Sequence, residues 1–168
     1  MKINLRNLSL QPRTSEKFTF EEEGDSNLIK DMGAKFVETL KVEFIVENTG
    51  RSYIGKGNIE TNLELLCARC LENIIFSVES EFYVTIVEVA YKDRFFSEEE
   101  DIVFINDYDI DITPFVNEVL LISIPINLIC KEDCKGLCSK CGINKNNSYC
   151  ECEEKDIDPR LEKLKKLK

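Results

Sequence analysis

Apolar and polar residues alternate over much of residues 36–89, and this alternation predicts three long strands. The segments are FVETLKVEFIVEN (36–48), SYIGKGNIETNLELL (52–66) and NIIFSVESEFYVTIVEV (73–89). A period of two places one set of side chains on a core face and the other set in solvent, as in a half-buried sheet. We therefore expect the three segments to pair as an antiparallel sheet.

Shorter segments extend this pattern on both sides. They are the extended segments KINLRNLSL (2–10) and EKFTFEE (16–22) and the short strand IVFI (102–105). Long strands that contain glycine are typical of strongly curved sheets, so we predict a bent antiparallel sheet or a partly open barrel. The glycines expected at turns or bulges are Gly50, Gly55 and Gly57.

The period changes to that of a helix in DITPFVNEVLLIS (111–123). Thr113 can cap this helix with Pro114 as its first residue, and Pro125 is expected to end it. The predicted buried face contains Phe115, Val119 and Ile122, with Val116 and Leu120 nearby. One core helix should therefore pack on the sheet.

A second, short helix is predicted in the C-terminal segment DPRLEKLKKLK (158–168), where Asp158 precedes Pro159 as a helix cap would. Residues 155–168 hold six basic and three acidic residues in a strongly acidic chain. This helix is either solvated and docked by its leucines or in contact with RNA or the ribosome. The candidate contact residues are Arg160, Lys163, Lys165, Lys166 and Lys168.

Together the elements predict an α+β, β-rich protein in two parts. Residues 1–129 would form a β-rich core domain with the core helix, and residues 130–168 a cysteine-rich, metal-binding lobe with the basic helix. The chain of 168 residues is long enough to bury one core. It shows no charged-then-apolar leader, and its most apolar run, VLLISIPINLI, is too short to cross a bilayer. A cytoplasmic protein without membrane contact is expected.

Charge and composition narrow the function. The net charge of −10 repels phosphate at long range, so any contact with RNA should be local. The chain contains no histidine, which removes the usual base near neutral pH and the commonest ligand of catalytic zinc. No phosphate-binding glycine loop is present either. We predict a protein that is not an enzyme and has no small-molecule substrate.

Six of the eight cysteines lie between residues 130 and 152. In a reducing compartment, close cysteine pairs favour metal binding over disulfides. CSKCG, followed after a polar loop by CEC, supplies four thiols in the form of a structural zinc knuckle. The predicted ligands of this site are Cys138, Cys141, Cys150 and Cys152.

The other four cysteines predict a second zinc site, formed by Cys67, Cys70, Cys130 and Cys134. The competing arrangement joins Cys67 and Cys70 to Cys138 and Cys141. Two structural zinc ions are expected, and one at the minimum. A redox dithiol is disfavoured because neither CxxC pair begins a helix after a parallel strand, and iron–sulfur ligation because the spacings differ from common ferredoxin runs.

The motifs CARCLE (67–72), DIDITPFVNEVLLISIP (109–125), CKEDCKGLCSKCGINKN (130–146) and DPRLEKLKKL (158–167) together resemble the bacterial large ribosomal RNA subunit accumulation protein family, YceD. The resemblance extends over most of the chain. It implies a role in the synthesis, processing or stability of large-subunit (23S) ribosomal RNA, without an implied catalytic activity. Arg69, between two candidate ligands, is a candidate for phosphate contact, although an arginine in a turn is commonly just solvated.

These observations lead to the hypothesis of a ribosome-assembly factor. It would bind a precursor of large-subunit ribosomal RNA, a basic ribosomal protein, or both, because an acidic protein can mimic nucleic acid towards basic partners. The alternative is a redox-responsive regulator or adaptor that senses oxidant or metal through its thiols and zinc.

Overall fold

The computed structural model describes residues 1–94 and 102–152. The elements are β1 (Lys2–Asn4), α1 (Arg6–Ser9), β2 (Ser15–Glu22), α2 (Ser26–Ile29), β3 (Lys35–Phe36), β4 (Leu40–Asn48), β5 (Tyr53–Leu66), β6 (Asn73–Glu88), β7 (Ile102–Ile105), β8 (Asp109–Asp111) and α3 (Thr113–Ser123), with 3-10 turns at Lys30–Met32 and Val89–Arg94. The predicted C-terminal helix lies outside the described residues.

The main sheet is open, with strand order β2-β4-β5-β6-β7 and β3 paired beside β5. The two strands predicted over 52–66 and 73–89 are confirmed, whereas the segment 36–48 is divided between β3 and β4; β4, β5 and β6 pair antiparallel as expected. The expectation of a wholly antiparallel sheet is wrong at β7, which runs parallel to β6. The 13 residues between Glu88 and Ile102 meet the length, about a dozen residues, that a parallel connection requires.

The N-terminal segment is extended over only three residues, because a turn of helix follows at once. Asn4 accepts a hydrogen bond from the Arg6 backbone N–H at 3.0 Å, and the Ser9 N–H donates to the Leu5 carbonyl at 2.9 Å. A side chain that satisfies a nearby backbone donor favours a turn over continued strand pairing. The strand β1 pairs instead with β8 in a small second sheet.

Alternation along the strands builds the core on one face of the sheet. Phe44 on β4 and Phe82 on β6 stack with ring centroids 5.7 Å apart. Between them, β5 carries Gly55 and Gly57, where an added Cβ would overlap the rings of Phe44 and Phe82 respectively. Pairing continues through both glycines, so they make room for rings rather than form bulges. Gly50, at φ 89°, lies in the turn after β4 as expected.

The core helix α3 is confirmed, but its predicted cap is wrong, and of its predicted face Ile122 is wrong, whereas Phe115 and Val119 are half-buried against the core. Ile112 is the residue before the first turn, and the Thr113 backbone N–H donates to Asp111 at 2.9 Å. The buried side chains are Val116 and Leu120, while Ile122 is 76% exposed. The most buried line of the helix is Ile112, Val116, Leu120 and Ile124, spaced four residues apart, so the buried face is centred on the residues predicted to lie beside it.

The sheet narrows toward the connection between β5 and β6. Pairing of β4 with β5 stops at Glu60, and β3 covers only Leu63 and Glu64, whereas β5 and β6 stay paired to Leu66 and Asn73. The far end of this hairpin thus has few neighbouring strands. The connection at this end, residues 67–72, contains the first two cysteines, Cys67 and Cys70.

Candidate metal centres

The first group of thiols, centre one, consists of Cys67, Cys70, Cys130 and Cys134, whose sulfur atoms all lie within 4.8 Å of one another. The Sγ atoms of Cys70 and Cys130 are 3.6 Å apart, and those of Cys67 and Cys134 are 3.9 Å apart. Two ligands come from the β5–β6 connection and two from the segment after α3. Centre one therefore joins parts of the chain about sixty residues apart.

Backbone hydrogen bonds shape the connection that carries Cys67 and Cys70. The Cys67 N–H donates to the Glu72 carbonyl at 2.8 Å, and the Leu71 N–H donates to the Cys67 carbonyl at 3.0 Å. Leu71 adopts a positive φ of 60°, which is uncommon for a residue with a branched side chain. The Ala68 N–H donates to the Leu128 carbonyl at 2.8 Å, which fastens the connection to the segment after α3.

Backbone donors point at the sulfur of Cys67. The Arg69 and Cys130 N–H groups each lie 3.4 Å from this sulfur. Burial raises the pKa of the Cys67 thiol, but N–H groups from Cys70, Arg69 and Cys130 outweigh burial and lower the pKa to about 6. Cys130 is opposite in character, since burial and the neighbouring thiols raise its pKa to about 12. Without a bound cation, only some of the four cysteines favour the thiolate, which is the form that binds a metal.

The second group, centre two, consists of Cys138, Cys141, Cys150 and Cys152, also with all sulfur atoms within 4.8 Å of one another. The Cys138 N–H donates to the Ile143 carbonyl at 2.8 Å, and the Gly142 N–H donates to the Cys138 carbonyl at 2.9 Å. Gly142 has φ 74°, which glycine adopts readily. This is the tight turn expected of a knuckle.

Centre two is more open than centre one. Cys141 and Cys152 are exposed and Cys138 is buried, whereas three of the four thiols of centre one are buried. N–H groups from Cys141 and Lys140 lower the pKa of Cys138 to about 6. The thiols of Cys150 and Cys141 raise the pKa of Cys152 to about 12.

The donor sets fit a tetrahedral metal. Four sulfurs about 2.3 Å from a central Zn²⁺ would lie about 3.8 Å from one another, whereas a disulfide requires about 2.05 Å. The closest sulfur pairs, at 3.5 to 3.9 Å, match the first geometry, and all eight cysteines are free. Each centre could hold a metal ion. The grouping is the one in which Cys67 and Cys70 join Cys130 and Cys134, not the competing one.

Arg69 makes contacts within the chain. Its guanidinium Nη1 donates to the Cys134 carbonyl at 3.0 Å and to the Glu132 carbonyl at 3.5 Å, and its own carbonyl accepts from the Leu137 N–H at 3.0 Å. Gly136 packs directly over it. Its assignment to RNA stays a prediction, as does the division of the chain at residue 130. Arg160, Lys163, Lys165, Lys166 and Lys168 lie outside the described residues.

Sequence analysis missed the polar residues that join the two centres. Glu72 accepts from Asn144 at 2.9 Å and from Asn147 at 2.7 Å, and Asn146 donates to the sulfur of Cys134 at 3.4 Å. The available signal was the asparagine-rich loop INKNNS between the two ligand pairs of centre two. Asparagine is a frequent turn residue, so composition alone did not distinguish these roles.

No helix among residues 1–94 and 102–152 combines the length and apolar character needed to span a bilayer. The fold and the two centres define a class: an open β-sheet protein with two four-cysteine groups that could each bind a metal ion. The chain belongs to the family described as large ribosomal RNA subunit accumulation protein YceD, whose family model matches residues 55–168. That region begins in β5 and contains all eight cysteines.

The chain is also similar to individual proteins, one of which carries the family's name. A chloroplastic large ribosomal RNA subunit accumulation protein YCED homolog 1 of Arabidopsis thaliana is 44% identical over 50 residues, which is 29% of this chain and 16% of that protein. An uncharacterized protein of Mycobacterium tuberculosis is 28% identical over 129 residues, 74% of this chain and 60% of that protein. The uncharacterized protein YlbN of Bacillus subtilis is 25% identical over 99% of this chain and 96% of its own length. No solved structure matches the chain.

Proposed function

We propose that the protein is a non-catalytic factor of the cytoplasm that supports the accumulation of large-subunit (23S) ribosomal RNA. The observation that carries the proposal is membership of the YceD family over residues 55–168. The lack of histidine in the whole chain supports a role without catalysis. In this proposal a metal-binding lobe, residues 130–168, is docked on the β-rich core of residues 1–129.

The metal we propose is zinc, with one ion in each centre. Closed sets of four thiolates are typical of structural zinc sites, and the ion would supply a rigid cross-link rather than chemistry. Zinc content can be measured by elemental analysis of protein purified under reducing conditions. Wild type should contain two zinc ions per chain, and Cys67→Ser and Cys138→Ser should each lose one. Absence of zinc from the wild type would refute the assignment.

The partner we propose is a basic segment of a ribosomal protein. On the solvent face, β2, β4, β5 and β6 carry seven glutamates and three lysines by their register, and Lys35 of β3 lies opposite Glu64 beside them. The glutamates are Glu21, Glu43, Glu47, Glu60, Glu64, Glu79 and Glu81, and the lysines are Lys17, Lys41 and Lys56. We call these ten residues the acidic face. Such a face attracts basic segments and repels phosphate.

Part of the acidic face is already neutralised by ion pairs within the chain. Lys17 pairs with Glu43 at 2.7 Å, Lys56 with Glu81 at 2.9 Å, and Lys35 of β3 with Glu64 at 3.9 Å. Within the part of the chain that the structure describes, Glu60 and Glu79 have no such ion pair. They lie opposite each other on β5 and β6 and line a cavity of about 300 Å³ together with Asn58.

Asn58 strengthens the case for a cationic partner. Its Oδ1 is buried and finds no hydrogen-bond donor among the described residues, and Asn58 is one of the residues that line the cavity beside Glu60 and Glu79. A site rich in acceptors and poor in donors suits an arginine or lysine side chain. Metal loading would make the protein more attractive to a cationic partner, because each Zn²⁺ with four thiolates carries a charge of −2. Two loaded centres would take the formal charge of the chain from −10 to about −14.

The function is tested by deleting the gene in its own host and measuring the ratio of 23S to 16S ribosomal RNA. The ratio should fall, wild type should restore it, and Glu60→Lys/Glu79→Lys should not. The matched control, Asp31→Lys/Glu118→Lys, makes the same charge change at exposed positions outside the strands of the sheet. An unchanged ratio in the deletion strain would refute the function.

The partner is tested separately by in-cell cross-linking of the wild type and the two charge variants. Basic ribosomal proteins should be recovered with wild type and the control and lost with Glu60→Lys/Glu79→Lys. Recovery of precursor ribosomal RNA, with protein partners unaffected by charge reversal, would show that the partner assignment is wrong.

The redox-responsive regulator is the second candidate, favoured by the exposure of Cys141 and Cys152. Exposed thiols are more accessible to oxidants than buried ones. This candidate predicts that mild peroxide releases one zinc ion reversibly and changes partner binding in the same concentration range. A purely structural centre two would keep its zinc and its partner under those conditions.

A further inference from the structure

The loop between the two ligand pairs of centre two reaches centre one. Asn146 is held at both ends of its carboxamide: Nδ2 lies 3.4 Å from the sulfur of Cys134, and Oδ1 accepts from the Lys135 backbone N–H at 2.9 Å. Its own backbone N–H donates to Asn144 Oδ1 at 2.9 Å. A side chain of centre two's loop therefore supplies a hydrogen bond to a candidate ligand of centre one.

A second connection runs through Glu72, two residues after Cys70. One of its carboxylate oxygens accepts from Asn144 and Asn147, at 2.9 and 2.7 Å. The other oxygen lies 3.8 Å from the sulfur of Cys70. The loop of centre two thus contacts the surroundings of centre one at two separate ligands, Cys134 and Cys70.

The loop has no buried side chain to hold it in place. Asn147, Ser148 and Tyr149 are exposed, and no residue from Cys141 to Cys152 is buried. Its fixed points are the ligands at its two ends, the hydrogen bonds to the first centre, and backbone hydrogen bonds to residues 136–138. In the latter, the Lys145 N–H donates to the Gly136 carbonyl at 2.9 Å and the Cys138 N–H donates to the Ile143 carbonyl at 2.8 Å. A polar loop without buried apolar side chains gains order mainly when its ends are fixed. Metal in centre two would fix those ends.

We propose that Asn146 and Glu72 couple the two centres, so that a metal ion in centre two strengthens metal binding in centre one. The proposal rests on the proposed function in one respect, namely that both centres bind zinc. Asn146 is a positioning residue: it orients the Cys134 thiolate and partly balances its charge. Residues of this kind typically change metal affinity by about 10 to 100-fold. Linkage requires the coupling to be reciprocal.

The main experiment measures the zinc affinity of centre one in the full chain by competition with a chromophoric chelator. Cys141→Ser/Cys150→Ser, which removes centre two, should weaken centre one by about 10 to 100-fold. Asn146→Ala, with all eight ligands intact, should weaken it in the same direction. Asn146→Asp, which keeps the shape but loses the N–H donor, should not restore it. The matched control is Lys145→Ala, an exposed neighbour in the same loop, which should bind as wild type does.

A double-mutant cycle separates coupling from a local effect of Asn146. If Asn146 acts through the ordered loop, Asn146→Ala should add little to the loss already present in Cys141→Ser/Cys150→Ser. Equal losses in both backgrounds would show that Asn146 acts on Cys134 alone, which overturns the coupling.

Cadmium titration of the metal-free wild type, followed by ¹¹³Cd NMR, gives a second measurement that does not depend on a variant folding. The two four-thiolate resonances should grow together at less than two equivalents. Independent growth, with two ions bound at saturation, would overturn the coupling and leave the zinc assignment standing. Absence of both resonances would overturn the zinc assignment as well.

Discussion

Centre one should make the unfolding of the sheet depend on zinc. The β5–β6 hairpin and the segment after α3 both supply ligands, so unfolding the sheet has to break this centre. Centre two takes all its ligands from residues 138–152 and does not require the sheet. The informative variants are therefore Cys70→Ser, which removes a ligand of centre one, and Cys150→Ser, which removes a ligand of centre two.

The expected magnitude follows from binding linkage. An ion that binds only the folded state raises the free energy of unfolding by about 1.4 kcal/mol for each tenfold increase of free zinc above its dissociation constant. A hundredfold increase should thus add about 2.7 kcal/mol for one centre. Wild type should show at least this dependence, Cys150→Ser should keep it, and Cys70→Ser should show none.

The assay is urea unfolding in zinc buffers of defined free concentration, followed by far-UV circular dichroism because the chain has no tryptophan. The strand signal reports the sheet, which is the part that centre one joins. A transition midpoint of the wild type that does not move with free zinc would refute the reasoning. So would a zinc dependence that survives in Cys70→Ser but disappears in Cys150→Ser.

Three further predictions test the fold. Leu120→Ala should lower the free energy of unfolding by about 2 to 5 kcal/mol because it leaves a buried cavity, whereas Ile122→Ala should change it by less than about 0.5 kcal/mol in the same urea assay. Gly57→Ala should cost about 1 to 3 kcal/mol, since its methyl group would overlap the ring of Phe82. Hydrogen bonds from the Thr113 side chain and backbone N–H lower the pKa of Asp111. The stability that this carboxylate contributes should be complete above pH 3.8, the usual pKa of the group, and should be lost as the pH falls below that value. In a profile of the free energy of unfolding against pH, Asp111→Asn should flatten this acid limb.

Local patterns predicted the elements better than their arrangement. Alternation with a period of two fixes which residues of β4, β5 and β6 share a face, and a helical period identifies α3. Neither pattern contains the direction of β7, which depends on the length and path of the connection before it. The exposure of Ile122 on α3 was missed for a similar reason, because the helix is apolar around much of its circumference and only the packing against β6 selects the centre of its buried face.

The cysteines show the same limit at the level of the site. Their number and spacing predicted four-thiol groups, since a tight turn with glycine places two sulfurs side by side. The spacing did not decide whether Cys67 and Cys70 join Cys130 and Cys134 or Cys138 and Cys141. Contacts between segments distant in sequence decide it, such as the bond from the Ala68 N–H to the Leu128 carbonyl. Arg69 and Asn146 acquire their roles from these contacts alone.

Centre one lies where the sheet most needs support, and this links the metal to the acidic face. A two-stranded hairpin is marginally stable alone, and β4 stops accompanying β5 at Glu60. Glu60 pairs with Glu79 at the last position that β4 accompanies, and from there to Cys67 the short strand β3 is the neighbour of β5, at Leu63 and Glu64. Loss of the metal should therefore let the hairpin fray back toward the two glutamates. Removal of zinc should therefore weaken the binding of a basic partner although no residue that contacts the partner has changed. Cys70→Ser should weaken partner binding in the same way.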